Sequence, residues 1–169
     1  MTHPQQNQIL NKSQIEQKII RMAYEIYEQN FEEQELVLAG IDQTGYTLAE
    51  MLTRELQKIS PIAVTLIRAS INKAAPATTP VQLQPESIDL KDKPIVLVDD
   101  VLNTGRILTY ALAAFLQYNP RKIEIATLVN RSHTLFPVAA TYTGYSLATT
   151  LRNHISVVLQ EDEVAAYLI

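Results

Sequence analysis

The chain has 169 residues, a length typical of one domain, and 47% of them are apolar, as in folded globular proteins. Its 14 basic and 18 acidic side chains give a formal net charge of −4, which disfavours a protein that coats nucleic acid. The sequence contains no cysteine, which excludes a disulfide scaffold, a thiolate-ligated metal site and a cysteine nucleophile.

The predicted elements alternate between strands and helices along most of the chain. Ser13 and Glu16 have the spacing of a capping box, which predicts the start of a first helix. Residues 69–93 lose periodicity and contain three prolines, which predicts a long mobile loop with a short strand in its tail. The predicted order is a lead-in over 8–12, a helix over 13–30, a strand over 36–41, a helix over 46–59, a strand over 62–68, the loop over 69–93, a strand over 94–98, a helix over 104–118, and strands over 122–129 and 155–159.

This alternation indicates βαβ units and an α/β fold with a mostly parallel, twisted sheet flanked by helices. We expect a single domain over residues 1–169. The polar start of the chain does not have the pattern of a signal peptide, and no apolar run approaches the ~20 residues that span a membrane. We therefore expect a cytoplasmic protein that makes no contact with a membrane.

Polar clusters follow three of the predicted strands. They are Asp42 to Gly45, Asp99 to Arg106, and Asn130 to His133. Because ligands bind beyond the carboxyl ends of strands in open parallel sheets, we expect the three clusters to meet at one site.

The middle cluster carries the most specific chemistry. A helix that starts near Thr104 offers unpaired N–H groups and a positive dipole end, which suit a phosphate. The carboxylates of Asp99 and Asp100 suit sugar hydroxyls or a hydrated Mg²⁺. A phosphorylation-receiver domain also ends a strand in two acids, but it needs a later acceptor aspartate, and none occurs between Val101 and Gln160. The combination therefore predicts a site for a ribose 5-phosphate.

The run Ile95–Arg106 resembles the signature with which type I phosphoribosyltransferases bind 5-phosphoribosyl 1-diphosphate. Two further segments, Ala39–Gly45 and Leu128–His133, resemble one branch of that family, the bifunctional pyrimidine-operon attenuators and uracil phosphoribosyltransferases. The resemblance continues in step over most of the chain, from Ile9 to Tyr167.

The resemblance implies a phosphoribosyltransferase fold with residues 69–93 as a mobile hood loop. It implies transfer of ribose 5-phosphate from 5-phosphoribosyl 1-diphosphate to a pyrimidine, uracil giving UMP and diphosphate, with Mg²⁺ held by the ligand and by Asp99 and Asp100. It also implies a homodimer or a larger homo-oligomer. The implied site residues are Asp99, Asp100 and Arg68 for catalysis; Val101, Leu102, Asn103, Thr104, Gly105, Arg106 and Ile107 for the 5-phosphate; Asp42, Gln43, Thr44 and Gly45 for the diphosphate; and Arg131, Ser132 and His133 for the base.

Two groups of positions differ from that branch. Asp42 and Thr44 stand where the branch has basic residues, and each lost charge-assisted contact costs on the order of 1.5–3 kcal/mol. The branch's RNA-binding positions are occupied by residues without positive charge, so we expect little specific RNA binding; these residues are Ile20, Tyr24, Thr134 and Ala139. Two alternatives therefore stay open: a nucleotide-sensing regulator with weak catalysis, and a phosphoribosyltransferase for a purine base.

Overall fold

The structure is a computed structural model that describes residues 7–150 and 152–169. Within this part of the chain, nine strands and three helices form two sheets with helices packed against them. In chain order they are β1 (Asn7–Leu10), α1 (Lys12–Asn30), β2 (Glu35–Ile41), α2 (Asp42–Ile59), β3 (Ala63–Ser70), β4 (Gln82–Gln84), β5 (Pro94–Leu102), α3 (Arg106–Leu116), β6 (Lys122–Asn130), β7 (Tyr142–Ser146), β8 (Ile155–Leu159) and β9 (Val164–Leu168).

The larger sheet has six strands in the order β4-β3-β2-β5-β6-β7. Every neighbouring pair is parallel except β3 and β4, which run antiparallel at one edge. The expected α/β fold with a mostly parallel sheet is thus confirmed. The strand β4 also confirms the short strand that was predicted in the tail of the 69–93 loop.

Alternate residues of the central strands pack into two separate cores. In β2, Leu36 and Leu38 pack with α1 and α2 on one face of the sheet. Val37 and Ala39 face the other side, where they pack with buried residues of α3 such as Phe115. A strand covered on both faces must be apolar throughout, which explains why the central strands read as continuous apolar runs.

The smaller sheet is antiparallel, in the order β1-β9-β8, and packs against the core formed by α1 and α2. Of its strands, only β8 was predicted. The strands β1, β7 and β9 were missed because they have only four or five residues each. In β1 and β7 polar residues also interrupt the apolar pattern; β7, for example, reads Tyr-Thr-Gly-Tyr-Ser.

The order of the parallel strands reverses between β2 and β5. The chain leaves β2 through α2 and adds β3 on one side, whereas β5 pairs with β2 on the other side. Such a reversal leaves a crevice at the carboxyl ends of the two strands, where ligands bind in open sheets. Asp42 follows β2 directly, and Asp99 and Asp100 lie near the end of β5.

Three predicted boundaries near this crevice are wrong. Helix α2 begins at Asp42 rather than at Tyr46, so the expected diphosphate loop forms the first turn of a helix. Strand β5 continues past Val98 to Leu102 because it keeps pairing with β6, where Leu102 lies opposite Asn130. Helix α3 spans Arg106–Leu116 rather than residues 104–118.

The predicted capping box of the first helix is also wrong. The N-cap residue is Asn11, whose side chain accepts a hydrogen bond of 2.9 Å from the backbone N–H of Gln14. In turn, Oε1 of Gln14 accepts a hydrogen bond of 2.9 Å from the backbone N–H of Asn11. Asparagine and serine are comparable N-caps, so the composition alone did not distinguish the two boxes.

None of the helices in residues 7–150 and 152–169 is both long enough and apolar enough to cross a membrane.

The observed cap gives a test of the first helix. Replacing Asn11 by alanine leaves a backbone N–H without its acceptor, so we expect Asn11→Ala to lower the free energy of unfolding by about 1 kcal/mol. Urea denaturation measures this difference. Ser13→Ala serves as the matched control and should change stability by much less, and a larger effect at Ser13 than at Asn11 would contradict the observed cap.

Candidate active site

The end of β5 and the start of α3 line a cavity of about 140 Å³ at the crevice between β2 and β5. Residues 99–107, all of which were expected to bind ligand or catalyse, line this cavity together with Leu108. The lining also includes Lys73, which the sequence had not singled out.

The two adjacent carboxylates of β5 differ in their surroundings. Asp99 is only 6% exposed, and its Oδ1 accepts a hydrogen bond of 2.9 Å from the backbone N–H of Asp100. Asp100 is half-buried, and its Oδ1 accepts one of 2.8 Å from the N–H of Val101. Burial raises the pKa of Asp99 well above its ordinary value, and the charge of Asp100 raises it further, while Lys73 opposes the rise. Asp100 is therefore the carboxylate that is more accessible from the cavity.

The segment between β5 and α3 has the geometry of an anion-binding loop. Gly105 is the N-cap of α3 with φ +84°, a backbone conformation that side chains disfavour, and a Cβ there would lie 2.5 Å from Cγ2 of Val138. The N-cap residue Gly105 has no side chain to cap α3, and Oγ1 of Thr104 accepts a hydrogen bond of 3.3 Å from the N–H of Arg106. The next N–H groups of the first turn have no side-chain cap and lie at the end of the cavity. These groups and the helix dipole suit a phosphate.

The segment that follows β6 is hydrogen-bonded to the loop between β5 and α3. The backbone oxygen of Thr104 accepts hydrogen bonds from the N–H groups of Leu135 (2.8 Å) and Phe136 (3.2 Å). The N–H of Arg131 donates to the oxygen of Leu102 at 3.1 Å. This segment therefore fixes the position of the loop.

The guanidinium of Arg131 is buried and directed into the protein. Its Nη1 donates to Oδ1 of Asn103 at 3.1 Å, its Nε to Oγ1 of Thr149 at 2.9 Å, and its Nη2 to the oxygen of Thr150 at 3.2 Å. Nε2 of His133 donates to the backbone oxygen of Thr149 as well. Arg131 thus connects the loop after β5 with residues 149 and 150.

The first turn of α2 lies against the end of β5. A Cβ added to Gly45 would lie 2.7 Å from the backbone oxygen of Val98 and 3.3 Å from the Cα of Asp99. Asp42 opens the turn with φ +53°, and its Oδ1 accepts a hydrogen bond of 3.0 Å from the N–H of Ile71. Nζ of Lys73 lies 3.8 Å from the other carboxylate oxygen of Asp42. This turn also has no side-chain cap, so a second set of free N–H groups lies at the crevice.

Several expected site residues lie outside the cavity lining. Gln43 and Thr44 line a separate cavity of about 180 Å³, which is shared with residues 157–160. The guanidinium of Arg68 lies 4.3 Å from the ring centre of Tyr46, and its Nε is buried without a hydrogen-bond partner. Ser132 is exposed, with φ +61°, at the turn after β6.

Lys73 is the cavity-lining cation that sequence reasoning missed. It lies in the 69–93 segment, where the absence of periodicity gave no information about which side chain faces the site. An isolated lysine in a loop carries no spacing signal, so only the fold brings it to the cavity.

The carboxylates also fit a magnesium ion that arrives with a ligand. Within the described residues, no three histidine, cysteine, aspartate or glutamate side chains cluster to form a metal site of their own. Mg²⁺ is commonly bound by one or two carboxylates together with substrate phosphates and water. Asp100 and Asp99 supply such carboxylates next to the anion-binding loop.

The fold and the cavity define an α/β protein with a candidate ligand site at the switch point of an open, mostly parallel sheet. Solved phosphoribosyltransferases share this fold. The hypoxanthine phosphoribosyltransferase of Trypanosoma cruzi superimposes with a TM-score of 0.78 at 14% identity, over 96% of this chain and 95% of that one. A hypoxanthine-guanine phosphoribosyltransferase of Bacillus anthracis gives 0.76 at 18% identity, over 96% and 98%.

The sequence comparisons give the family. Residues 5–162 match the phosphoribosyl transferase domain, and the chain belongs to this family of pentosyltransferases. It is 37% identical to the Bifunctional protein PyrR of Pelotomaculum thermopropionicum over 91% of this chain and 89% of the relative. It is 34% identical to the Bifunctional protein PyrR of Ligilactobacillus salivarius over 91% and 92%. The resemblance found in the sequence is thus confirmed.

The burial of Asp99 predicts how stability depends on pH. Because its pKa is raised in the folded protein, the unfolded chain releases this proton first, and the free energy of unfolding falls as the pH rises from about 4 through the raised pKa. We expect Asp99→Asn to remove this fall. The free energy of unfolding of Asp99→Asn should exceed that of the unaltered protein only slightly near pH 4, and by an increasing amount towards pH 8.

Urea unfolding at a series of pH values measures this gain. The matched control is Asp162→Asn, which removes an exposed carboxylate and should leave the pH dependence nearly unchanged. A stability difference for Asp99→Asn that is constant with pH would contradict the raised pKa.

Proposed function

We propose that the protein transfers ribose 5-phosphate from 5-phosphoribosyl 1-diphosphate to uracil, giving UMP and diphosphate. One observation carries the proposal. The carboxylates of Asp99 and Asp100 share one cavity with the uncapped start of α3, at the switch point between β2 and β5. This cavity offers acceptors for sugar hydroxyls on one side and donors for a phosphate on the other.

The 5-phosphate is bound by residues 101–107 in this proposal. The uncapped N–H groups at the start of α3 donate to the phosphate oxygens, and Arg106 adds a positive charge in the first turn. Gly105 supports this placement of the phosphate at the start of α3, because its φ of +84° turns the chain sharply into the helix. The bonds from Leu135 and Phe136 to Thr104 keep the loop in place before the ligand arrives.

The reaction forms a bond between N1 of uracil and C1 of the ribose. At the same time the C1–O bond to the diphosphate breaks with its electron pair going to the diphosphate oxygen, and the N1 proton is released to water. Positive charge develops on the ribose ring, and the carboxylate of Asp100 stabilises it while accepting hydrogen bonds from the ribose hydroxyls. Asp100 and Asp99 would hold Mg²⁺ together with the ligand, and the ion would supply positive charge next to the diphosphate.

The diphosphate lies at the start of α2 in this proposal. The uncapped N–H groups of residues 42–45 donate to it, and Arg68 lies beside them over the ring of Tyr46. Gly45 allows the turn to lie close to β5, which brings the diphosphate next to the ribose.

The base lies near residues 131–133. The guanidinium of Arg131 already donates hydrogen bonds to Asn103, Thr149 and Thr150. Arg131 therefore acts by positioning the loop. Ser132 and His133 are the residues of this segment nearest to solvent. Uracil is proposed as the base from the resemblance to the uracil branch and from relatives that are named Bifunctional protein PyrR.

One observation favours a second candidate function. Asp42 places a carboxylate at the start of α2, where a diphosphate would be repelled. A protein that binds UMP, which has no diphosphate, would not meet this repulsion. A nucleotide-sensing regulator is therefore the alternative.

Turnover of 5-phosphoribosyl 1-diphosphate with uracil and Mg²⁺ tests the main proposal. We expect UMP to form, and we expect Asp100→Asn to lower kcat/KM at least tenfold because one charge-assisted interaction is lost. The Asn side chain retains the oxygen that accepts from Val101, so the variant should fold. Asp162→Asn is the control and should keep full activity.

The outcomes separate the alternatives. Turnover with hypoxanthine or guanine but not uracil would contradict the pyrimidine assignment. Stabilisation by UMP without turnover would support the regulator, since a ligand at a hundred times its Kd adds ~2.7 kcal/mol to the free energy of unfolding.

We also propose that the protein binds RNA weakly and without specificity. On α1, Ile20 is 43% exposed and Tyr24 55% exposed. Thr134 and Ala139 are exposed as well. None of these four side chains carries a charge that could neutralise RNA phosphates.

A gel-shift titration with a pyrimidine-operon leader RNA checks this expectation. We expect no retained complex at physiological salt and at most weak retention at low salt. A tight complex whose affinity falls steeply with salt would contradict it. An unrelated RNA of equal length is the control.

Finally, we propose that the protein forms a homodimer or a larger homo-oligomer. Leu116, 55% exposed, and Tyr118, 39% exposed, lie together at the end of α3. Exposed apolar side chains that lie close together are common at subunit interfaces.

A further inference from the structure

Negative charge dominates the diphosphate side of the crevice. Asp42, Asp99 and Asp100 bring three carboxylates to the ends of β2 and β5. Among the residues that line the cavity, only Lys73 and Arg106 are basic, and Arg106 lies in the first turn of α3, on the 5-phosphate side. Of the two nearby arginines outside the lining, Arg131 is bonded to Asn103, whereas Arg68 lies over the ring of Tyr46 with its Nε buried and without a partner among the described residues. Lys73 is therefore the basic side chain of the cavity lining on the diphosphate side.

Asp42 holds the start of the 71–80 segment at two points. One carboxylate oxygen accepts a 3.0 Å hydrogen bond from the N–H of Ile71. The other lies 3.8 Å from Nζ of Lys73, too far for a hydrogen bond. The Lys73 side chain is 60% exposed and that of Asp42 30% exposed. Exposed ion pairs of this kind contribute little stability, so the ammonium leaves Asp42 at small cost.

The residues after Lys73 form a turn that bonds mainly to itself. Oδ1 of Asn72 accepts from the N–H groups of Ala74 and Ala75, and the oxygen of Ala75 accepts from Thr78 and Thr79. The start of this segment is joined to α2 by the hydrogen bond from Ile71 to Asp42 and by the ion pair between Lys73 and Asp42.

We propose that Lys73 is the diphosphate-binding cation of this site and that Asp42 holds it next to the cavity until the ligand arrives. This inference rests on the proposed function for the identity of the ligand. The ammonium exchanges the single charge of the carboxylate for the several charges of a diphosphate. The bond from Ile71 to Asp42 remains, so the turn stays attached while the side chain changes partner.

Direct binding of Mg²⁺-diphosphate, measured by calorimetry, tests the exchange. We expect Lys73→Met to raise the Kd roughly tenfold, as for the loss of one charge-assisted contact, and Lys73→Arg to restore most of the affinity. Lys91→Met removes an exposed lysine of the same 69–93 segment, away from the cavity, and should leave the Kd unchanged.

Asp42→Asn tests the holding role. Asparagine keeps an oxygen for the N–H of Ile71 and tolerates a positive φ, so only the charge is lost. We expect the Kd to fall severalfold, partly because the repulsion is removed and partly because Lys73 is released. In the Lys73→Met background the gain from Asp42→Asn should be clearly smaller.

Two results would overturn the inference. An unchanged Kd in Lys73→Met removes the binding role, and equal gains from Asp42→Asn in both backgrounds remove the exchange. Uracil turnover distinguishes these failures from failure of the proposed function. If the expected changes in Kd occur without turnover, only the uracil reaction is wrong. If UMP forms but the unaltered protein binds no Mg²⁺-diphosphate, only the inference about Lys73 is wrong; if neither occurs, both are wrong.

Discussion

The close approach of α2 to β5 is the constraint on which the site depends. Gly45 lies so near the backbone of Val98 and Asp99 that no larger residue fits without displacement. This contact sets the uncapped start of α2 beside the end of β5 and buries Asp99 at the same time. The starts of α2 and α3 and the carboxylates of Asp99 and Asp100 are consequently held at fixed separations by the fold itself.

The sequence predicted the architecture because the central strands are covered on both faces. Their continuous apolar runs, such as Leu36–Ile41, have few other structural solutions. The strand β7 escaped prediction because it lies at the edge of the larger sheet, where partial exposure permits polar residues and glycine. The strand β9 is the middle strand of the smaller sheet, and its five residues are too few for periodicity to distinguish a strand from a helix. The start of α2 was misplaced because Asp42 begins the helix with φ +53° and no side-chain cap, so the usual signals of a helix start are missing.

The site was predictable where a continuous stretch of chain forms it. Residues 99–107 line the cavity as expected, because a strand followed by a helix places them in sequence order. No sequence pattern indicates that Lys73 reaches the same cavity, since that depends on the path of a loop without periodicity. It also did not indicate that the Arg131 guanidinium turns inward to Asn103, because that contact joins residues 28 positions apart.

The division between the two apolar cores and the crevice has a consequence for how such a protein evolves. Most side chains at the crevice, including Asp42, Lys73 and Asn103, lie outside both cores. Substitutions there alter ligand affinity at little cost to folding, so natural selection can retune or abandon a contact in one step. Gly45, Gly105 and Asp99 are exceptions. Packing requires the two glycines, whereas burial disfavours the charged form of the Asp99 carboxylate. The persistence of Asp99 in a lineage would therefore be a record of selection for ligand binding rather than for stability.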